Sequence, residues 1–120
     1  MTHLIGTEHL PTFKKSILII EDISEAPYRI DRMLTHLRLA GVLQQLSGLG
    51  FGSFTHCDNE ENVNETETFE LLDIFKDRTK DLKIPIVSNL PIGHCCGNAS
   101  LPLGSQAILN GEKGSLSLLT

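Results

Sequence analysis

The chain has 120 residues and a mass of 13.2 kDa, the size of one ordinary globular domain. Its 10 basic and 15 acidic residues give a net charge of −5 without a stripe of Lys and Arg, so we expect no nucleic acid as a partner. The mean hydropathy is −0.01, and the longest aliphatic run is far shorter than the roughly 20 residues that span a bilayer, so we expect no membrane as a partner either.

The cysteines and the N-terminus indicate a reducing compartment. The first residues, 1–6, contain no basic segment followed by an apolar one, and so do not look like a secretory signal. The chain has 3 cysteines, of which Cys95 and Cys96 are adjacent, a pattern that does not suit a disulfide framework. We therefore expect a cytoplasmic protein.

The first third of the chain predicts a strand followed by a helix. The aliphatic run Ile17–Ile20 is typical of a buried strand. Pro27 suits the first turn of a helix, and Gly41 is a suitable stop. Between them one apolar stripe recurs at helical spacing, made of Ile30, Met33, Leu34 and Leu37.

The middle of the chain repeats this alternation. Leu49–Phe54 reads as a strand whose glycines allow close backbone approach, and the acidic segment Asp58–Glu67 reads as an exposed loop, because it lacks the spacing of a calcium loop. The apolar residues from Phe69 onward predict a helix that runs to about Lys80. Ile84–Ser88 then predicts another short buried strand.

The end of the chain predicts an antiparallel hairpin. Its strands would be Ser105–Leu109 and Ser115–Leu119, joined by the turn Asn110–Gly114. The whole pattern predicts a single α/β domain over residues 1–120, with a mostly parallel sheet, crossover helices and a C-terminal antiparallel hairpin.

Two separated residues are candidates for chemistry. Glu21 follows the first strand, at the carboxyl edge of the sheet where α/β proteins place their sites, although it could equally pair with Arg29 or Arg32. His94 follows Gly93 in a turn that could present the ring to a neighbour, although it could also be an ordinary turn histidine. A carboxylate on one ring nitrogen would orient the imidazole as a base.

No residue of the chain is a convincing nucleophile for that base. Ser53 would need a glycine two positions later to form a nucleophile elbow, and Thr55 stands there. Cys95 and Cys96 adjoin the histidine in sequence, whereas a Cys-His pair normally comes from distant segments. We expect none of the three to act as a nucleophile.

A structural zinc site is a further alternative. His56-Cys57 and His94-Cys95-Cys96 supply soft ligands, but neither the C-x-x-C nor the H-x-x-x-H spacing is present. We therefore expect no metal and no organic cofactor.

Several motifs together resemble the C-terminal domain of the LD-carboxypeptidases, a family that includes muramoyltetrapeptide carboxypeptidases and microcin C self-immunity peptidases. The resemblance covers essentially the whole chain, and the most specific stretch runs from Glu21 to Arg32. The matching segments are Ile19–Leu34, Leu39–Gly41, Gly52–Phe54, Ile84–Pro85, Gly93–His94 and Leu101–Gly104.

The resemblance implies a swivelling β/β/α-type domain that forms the C-terminal half of a two-domain serine peptidase. Glu21 and His94 then correspond to two members of a Ser-His-Glu triad, while the nucleophilic serine belongs to an N-terminal domain that this chain lacks. The implied enzyme releases terminal D-alanine from cytoplasmic murein tetrapeptides during peptidoglycan recycling, as a homodimer. The isolated chain is expected to be inactive.

Two other functions stay open at this point. A microcin C immunity-type peptidase would share the triad but cleave a peptidyl or aminoacyl nucleotide. A non-catalytic relative could serve as an interaction module through an exposed sheet edge.

Overall fold

The computed structural model describes residues 1–57 and 70–119. The predicted acidic loop Asp58–Glu67 and the predicted helix start at Phe69 lie outside these residues. Within the two ranges, no helix is both long enough and apolar enough to cross a membrane.

The described residues form five strands and two α-helices. They are β1 (Ile17–Ile23), α1 (Pro27–Leu39), β2 (Gly48–Thr55), α2 (Leu71–Thr79), β3 (Ile86–Val87), β4 (Ala107–Asn110) and β5 (Ser115–Leu118). Strands β1, β2 and β3 make a parallel sheet in chain order, with β2 in the centre, and β4 pairs with β5 as an antiparallel hairpin. The predicted α/β class is therefore confirmed.

The two faces of the sheet are covered differently. Leu18 and Ile20 of β1 pack into the larger core, which the helices share, whereas Ile17 and Ile19 pack into a smaller cluster with Leu109 of β4. Because successive side chains of a strand point to opposite faces, the helices lie on one side of the sheet and the hairpin on the other. Glu21 has the same parity as Ile17 and Ile19, which directs it to the hairpin side.

Helix α1 begins and ends as the sequence predicts. Pro27 occupies its first turn, and Gly41 follows its end with a φ of +73°, which lets the Val42 N–H donate to the Leu37 carbonyl oxygen at 3.0 Å. The apolar stripe is buried, with Leu34 only 1% exposed. The helix is therefore defined by local signals and by its buried face.

Two arginine–aspartate pairs join α1 to α2. Arg38 donates to both carboxylate oxygens of Asp81, at 2.6 and 2.7 Å, and Arg78 donates twice to Asp31. The hydrogen bonds from Arg38 hold the pKa of the Asp81 carboxyl below its ordinary value. These pairs fix the two helices side by side on their face of the sheet.

Several predicted strands begin or end at the wrong residue. The first strand continues to Ile23, so Glu21 and Asp22 lie inside it and not after it, because pairing with β2 extends past the aliphatic run. The predicted strand Ile84–Ser88 is reduced to Ile86–Val87, the two residues that pair with β2. Strand β1 is an edge strand and is only half-buried.

Candidate active site

The sheet is irregular next to Glu21. The register between β1 and β2 shifts there, so that two residues of β2, Gly52 and Ser53, face the single residue Glu21. A bulge of this kind bends a strand locally and redirects side chains, and bulges are frequent beside active sites. The irregularity sets the environment of the Glu21 side chain.

The segment that follows β3 crosses this irregular part of the sheet in direct backbone contact. The Leu90 N–H donates to the Phe51 carbonyl oxygen at 3.0 Å, and the Ser53 N–H donates to the Ile92 carbonyl oxygen at 2.8 Å. A Cβ atom on Gly52 would lie 2.3 Å from that same Ile92 oxygen. Only glycine therefore allows the crossing at this distance.

Gly93 turns the crossing chain toward Glu21. Its φ of +113° lies in the region that side chains disfavour, and a Cβ there would lie 2.6 Å from both Glu21 Oε2 and Ser53 Oγ. Glycine is required twice over, for the backbone angle and for the space. The turn places the next residue, His94, beside the carboxylate.

His94 and Glu21 form a hydrogen-bonded pair. Nδ1 of His94 lies 2.9 Å from Oε2 of Glu21, although 73 positions separate them in sequence. An ionised carboxylate only accepts, so the ring donates from Nδ1 and its Nε2 keeps the lone pair that a base needs. The His94 side chain is 57% exposed and the Glu21 side chain 34%, which leaves the ring accessible to a neighbouring surface.

The His94 turn is fastened by two side chains that the sequence did not single out. The Thr55 hydroxyl donates to the His94 carbonyl oxygen, and Asn98 Oδ1 accepts from the Gly93 N–H at 3.0 Å. The Ala99 N–H donates to the Pro91 carbonyl oxygen at 2.7 Å and closes the base of the turn. The Thr55 contact has no local signal, because it acts across 39 positions of sequence, whereas the Asn98 contact lies within the turn, five positions from Gly93.

Alternating glycines in β2 are the sequence feature that indicated a close approach of another backbone segment. Gly48, Gly50 and Gly52 alternate along β2 and so share one face, opposite the buried Leu49 and Phe51. That face is where the crossing segment meets the sheet.

The alternative partner Arg29 and the candidate nucleophiles make no hydrogen bond to the side chain of Glu21 or His94 in the described part of the chain. Arg29 pairs with Glu25 at 3.3 Å and not with Glu21. Ser53 Oγ is hidden from solvent and makes no hydrogen bond in the described part of the chain, so it does not contact the base. Among the hydrogen bonds of the described residues, none joins the His94 ring to Cys95, which is half-buried, or to Cys96, which is exposed.

The zinc alternative receives no support. Across residues 1–57 and 70–119, no three His, Cys, Asp or Glu side chains come together in a group that could hold a metal ion. Cys57, one of its proposed ligands, is buried in the core with 0% exposure, and its thiol donates to the Thr55 carbonyl oxygen.

Comparison with known sequences identifies relatives over nearly the whole chain. The family description "LD-carboxypeptidase C-terminal domain" matches residues 1–109. The chain is 47% identical over 118 residues to a putative carboxypeptidase of Synechocystis sp., covering 98% of this chain and 38% of that protein. It is 33% identical over 113 residues to the murein tetrapeptide carboxypeptidase of Pseudomonas aeruginosa, covering 94% of this chain and 34% of that protein.

Comparison with solved structures gives the same grouping. The muramoyltetrapeptide carboxypeptidase of Oxalobacter formigenes superposes with a TM-score of 0.81 at 32% identity, covering 98% of this chain and 40% of that one. The microcin C7 self-immunity protein MccF superposes with a TM-score of 0.78 at 20% identity, covering 99% and 34%, which shows a shared fold alone. The chain thus spans well under half the length of the relatives it matches.

Proposed function

The chain belongs to the LD-carboxypeptidase family, a family of peptidases in which it represents the C-terminal domain, and we propose that Glu21 and His94 are the acid and base members of a Ser-His-Glu catalytic triad. The observation that carries the proposal is the 2.9 Å contact between Nδ1 of His94 and Oε2 of Glu21, with the ring half-exposed beyond it. This arrangement pairs one ring nitrogen with a carboxylate and leaves the His94 side chain accessible, as a base that acts on a neighbouring domain requires.

The proposed roles of His94 and Glu21 follow from the chemistry of a serine nucleophile. A serine hydroxyl is a weak nucleophile at neutral pH and needs a base within hydrogen-bonding distance. His94 takes the serine proton on Nε2 and later gives it to the leaving amine, while Glu21 fixes the ring tautomer and stabilises the imidazolium. By its likeness to the LD-carboxypeptidases, the whole enzyme would supply the nucleophile and the oxyanion-hole amides from its N-terminal domain. In keeping with this proposal, no hydrogen bond of the described residues joins a serine or thiol to the His94 ring.

The substrate proposed for the whole enzyme is a murein tetrapeptide, from which it releases the terminal D-alanine. Relatives named for murein tetrapeptide or muramoyltetrapeptide cleavage match at 32–33% identity over nearly the whole chain. The likeness to MccF supports the fold only, so it does not favour a nucleotide-conjugate substrate. The resemblance to the LD-carboxypeptidases also implies murein recycling by a cytoplasmic homodimer, and we extend the proposal to that state.

A chimeric enzyme tests the proposal. The chain is joined to the N-terminal part of the Synechocystis relative, the more similar of the two sequences compared above, and D-alanine release from murein tetrapeptide is followed by chromatography. Glu21→Ala and His94→Ala are each expected to lower kcat by at least about a thousandfold, since removing a triad member has effects of that size. The 120-residue chain alone is expected to release no D-alanine.

The chain contains its own matched control. Glu8 and His9 form a second glutamate–histidine pair, 3.9 Å apart and largely exposed. Glu8→Ala and His9→Ala are expected to leave activity unchanged. Full activity in Glu21→Ala or His94→Ala would overturn the assignment, and D-alanine release by the isolated chain would overturn the proposed division between domains.

A further inference from the structure

One polar group beside the site lacks a partner. Ser53 Oγ is fully hidden from solvent and makes no hydrogen bond with any other described residue. Buried hydroxyl groups almost always have a partner, because burying an unpaired one is unfavourable. An unpaired buried hydroxyl beside the site indicates that Ser53 has a functional role.

One neighbouring group that could accept from it is the Glu21 carboxylate. The point that a Cβ of Gly93 would occupy lies 2.6 Å from Ser53 Oγ and 2.6 Å from Glu21 Oε2, so the two oxygens are no farther apart than twice that distance. The bulge sets Ser53 opposite Glu21, and the hydrogen bond from its N–H to the Ile92 carbonyl oxygen, at 2.8 Å, holds its backbone there. The absence of a side chain at Gly93 keeps the gap between the oxygens open.

The carboxylate has room for a second donor. Two carboxylate oxygens offer about four lone-pair sites, and His94 Nδ1 occupies one of them on Oε2. A hydroxyl bound to an ionised carboxylate makes a short, strong hydrogen bond. Ser53 Oγ does not hydrogen-bond to Glu21 in this structure, so the proposed bond requires a rotation of one of the two side chains.

We propose that Ser53 is a positioning residue, whose hydroxyl donates to the Glu21 carboxylate and so holds Oε2 against Nδ1 of His94. The inference rests on the proposed function, in which Glu21 orients the His94 ring. Ser53 contacts no substrate in this role and acts only through Glu21. It keeps the Nδ1–H tautomer dominant and the carboxylate in place when the imidazolium forms.

The test is the tautomer of His94 in the 120-residue chain, which needs no activity. Nitrogen-15 chemical shifts of labelled histidines give the ratio of the Nδ1–H to the Nε2–H form, at a pH above the imidazole titration. Ser53→Ala is expected to lower that ratio about fivefold, from the usual contribution of one hydrogen bond. Ser53→Cys, which keeps the shape but donates weakly, should give an intermediate ratio. Ser105→Ala, at an exposed serine, is the control and should change nothing.

The outcomes separate this inference from the proposed function. An unchanged tautomer ratio in Ser53→Ala, together with a higher urea midpoint, would show an unpaired hydroxyl whose removal is simply favourable, and would overturn the inference. A lowered ratio supports it. Failure of the proposed function appears elsewhere, as a chimeric Glu21→Ala enzyme that keeps full activity whatever the ratio does.

Discussion

Oε2 of Glu21 and Nδ1 of His94 lie 2.9 Å apart because the chain between them passes through two positions that can hold only glycine. Gly52 lets the crossing segment touch the sheet, and Gly93 lets the chain turn beside the carboxylate. The hydrogen bond therefore depends on the absence of two side chains as much as on the presence of the acid and the base.

Gly93→Ala is expected to destabilise the chain and break the pair. Its φ of +113° disfavours a side chain, and the new Cβ would lie 2.6 Å from Glu21 Oε2. Backbone strain should cost about 1 kcal/mol, and the forced shift of neighbours about 1–3 kcal/mol more. Urea unfolding gives the stability, and the nitrogen-15 spectrum of His94 reports the lost hydrogen bond.

Gly97→Ala is the matched control for that change. Gly97 lies in the same turn with a φ of +75°, but nothing lies within 4 Å of its Cβ position. It should show the strain of about 1 kcal/mol alone and keep the His94 signal. Equal losses of stability in the two variants would contradict the packing role assigned to Gly93.

Thr55→Val is expected to reduce activity more than stability. Valine has the shape of threonine but lacks the hydroxyl that donates to the His94 carbonyl oxygen. Loss of one such bond should lower kcat of the chimeric enzyme by about 2–10-fold, because the turn that presents the ring is loosened. The measurement is kcat and KM for D-alanine release, together with the urea midpoint.

Thr7→Val removes a bond of the same kind far along the chain from His94. The Thr7 hydroxyl donates to the Leu4 carbonyl oxygen at 2.7 Å. A similar small loss of stability with unchanged kcat is expected. A comparable fall of kcat in Thr7→Val would show that Thr55 affects activity only through general stability.

Asp81→Asn is expected to make the free energy of unfolding depend less on pH in the acidic range. Hydrogen bonds from Arg38 hold the pKa of Asp81 in the folded chain below its ordinary value of 3.8. A lowered folded pKa stabilises the folded state above the unfolded pKa, and this contribution disappears as the pH falls through the folded pKa. Asp81→Asn should therefore unfold at lower urea than the parent chain near pH 7, and the difference should shrink below about pH 4.

Glu112→Gln supplies the comparison for acid unfolding. Glu112 is exposed in the hairpin turn, away from the two helices that Arg38 and Asp81 join. The urea midpoint of the Glu112→Gln variant should equal that of the parent chain at each pH. A constant difference between Asp81→Asn and the parent from pH 7 to pH 2 would rule out the ion pair as its cause.

Local patterns in the sequence predicted which helices and strands form, but not the residues at which they begin and end. The stripe that includes Ile30 and Leu37 predicted α1, since helical periodicity and a buried face coincide there. The length of β1 was missed because Glu21 and Asp22 look like residues beyond a strand. They belong to it because pairing with β2 resumes at Asp22 and Ile23 after the irregularity at Glu21.

The candidate site was predictable in its two principal residues only. Glu21 and His94 were singled out by position and by family resemblance, and the structure shows that they meet. Ser53 was considered as a nucleophile and not as a neighbour of the acid, because the register shift that sets it opposite Glu21 has no local signature. Thr55 was missed because its contact depends on where a distant turn comes to lie. Asn98 acts within that turn, five positions after Gly93, and was not considered as one of its contacts.

The long sequence interval between the acid and the base has a consequence during synthesis. Glu21 leaves the ribosome well before His94, which follows it by 73 positions, so the pair can form only after the intervening chain has been made. A nascent or truncated chain therefore holds a carboxylate without its imidazole. Under the proposed function, the acid and base are therefore paired only in the completed fold.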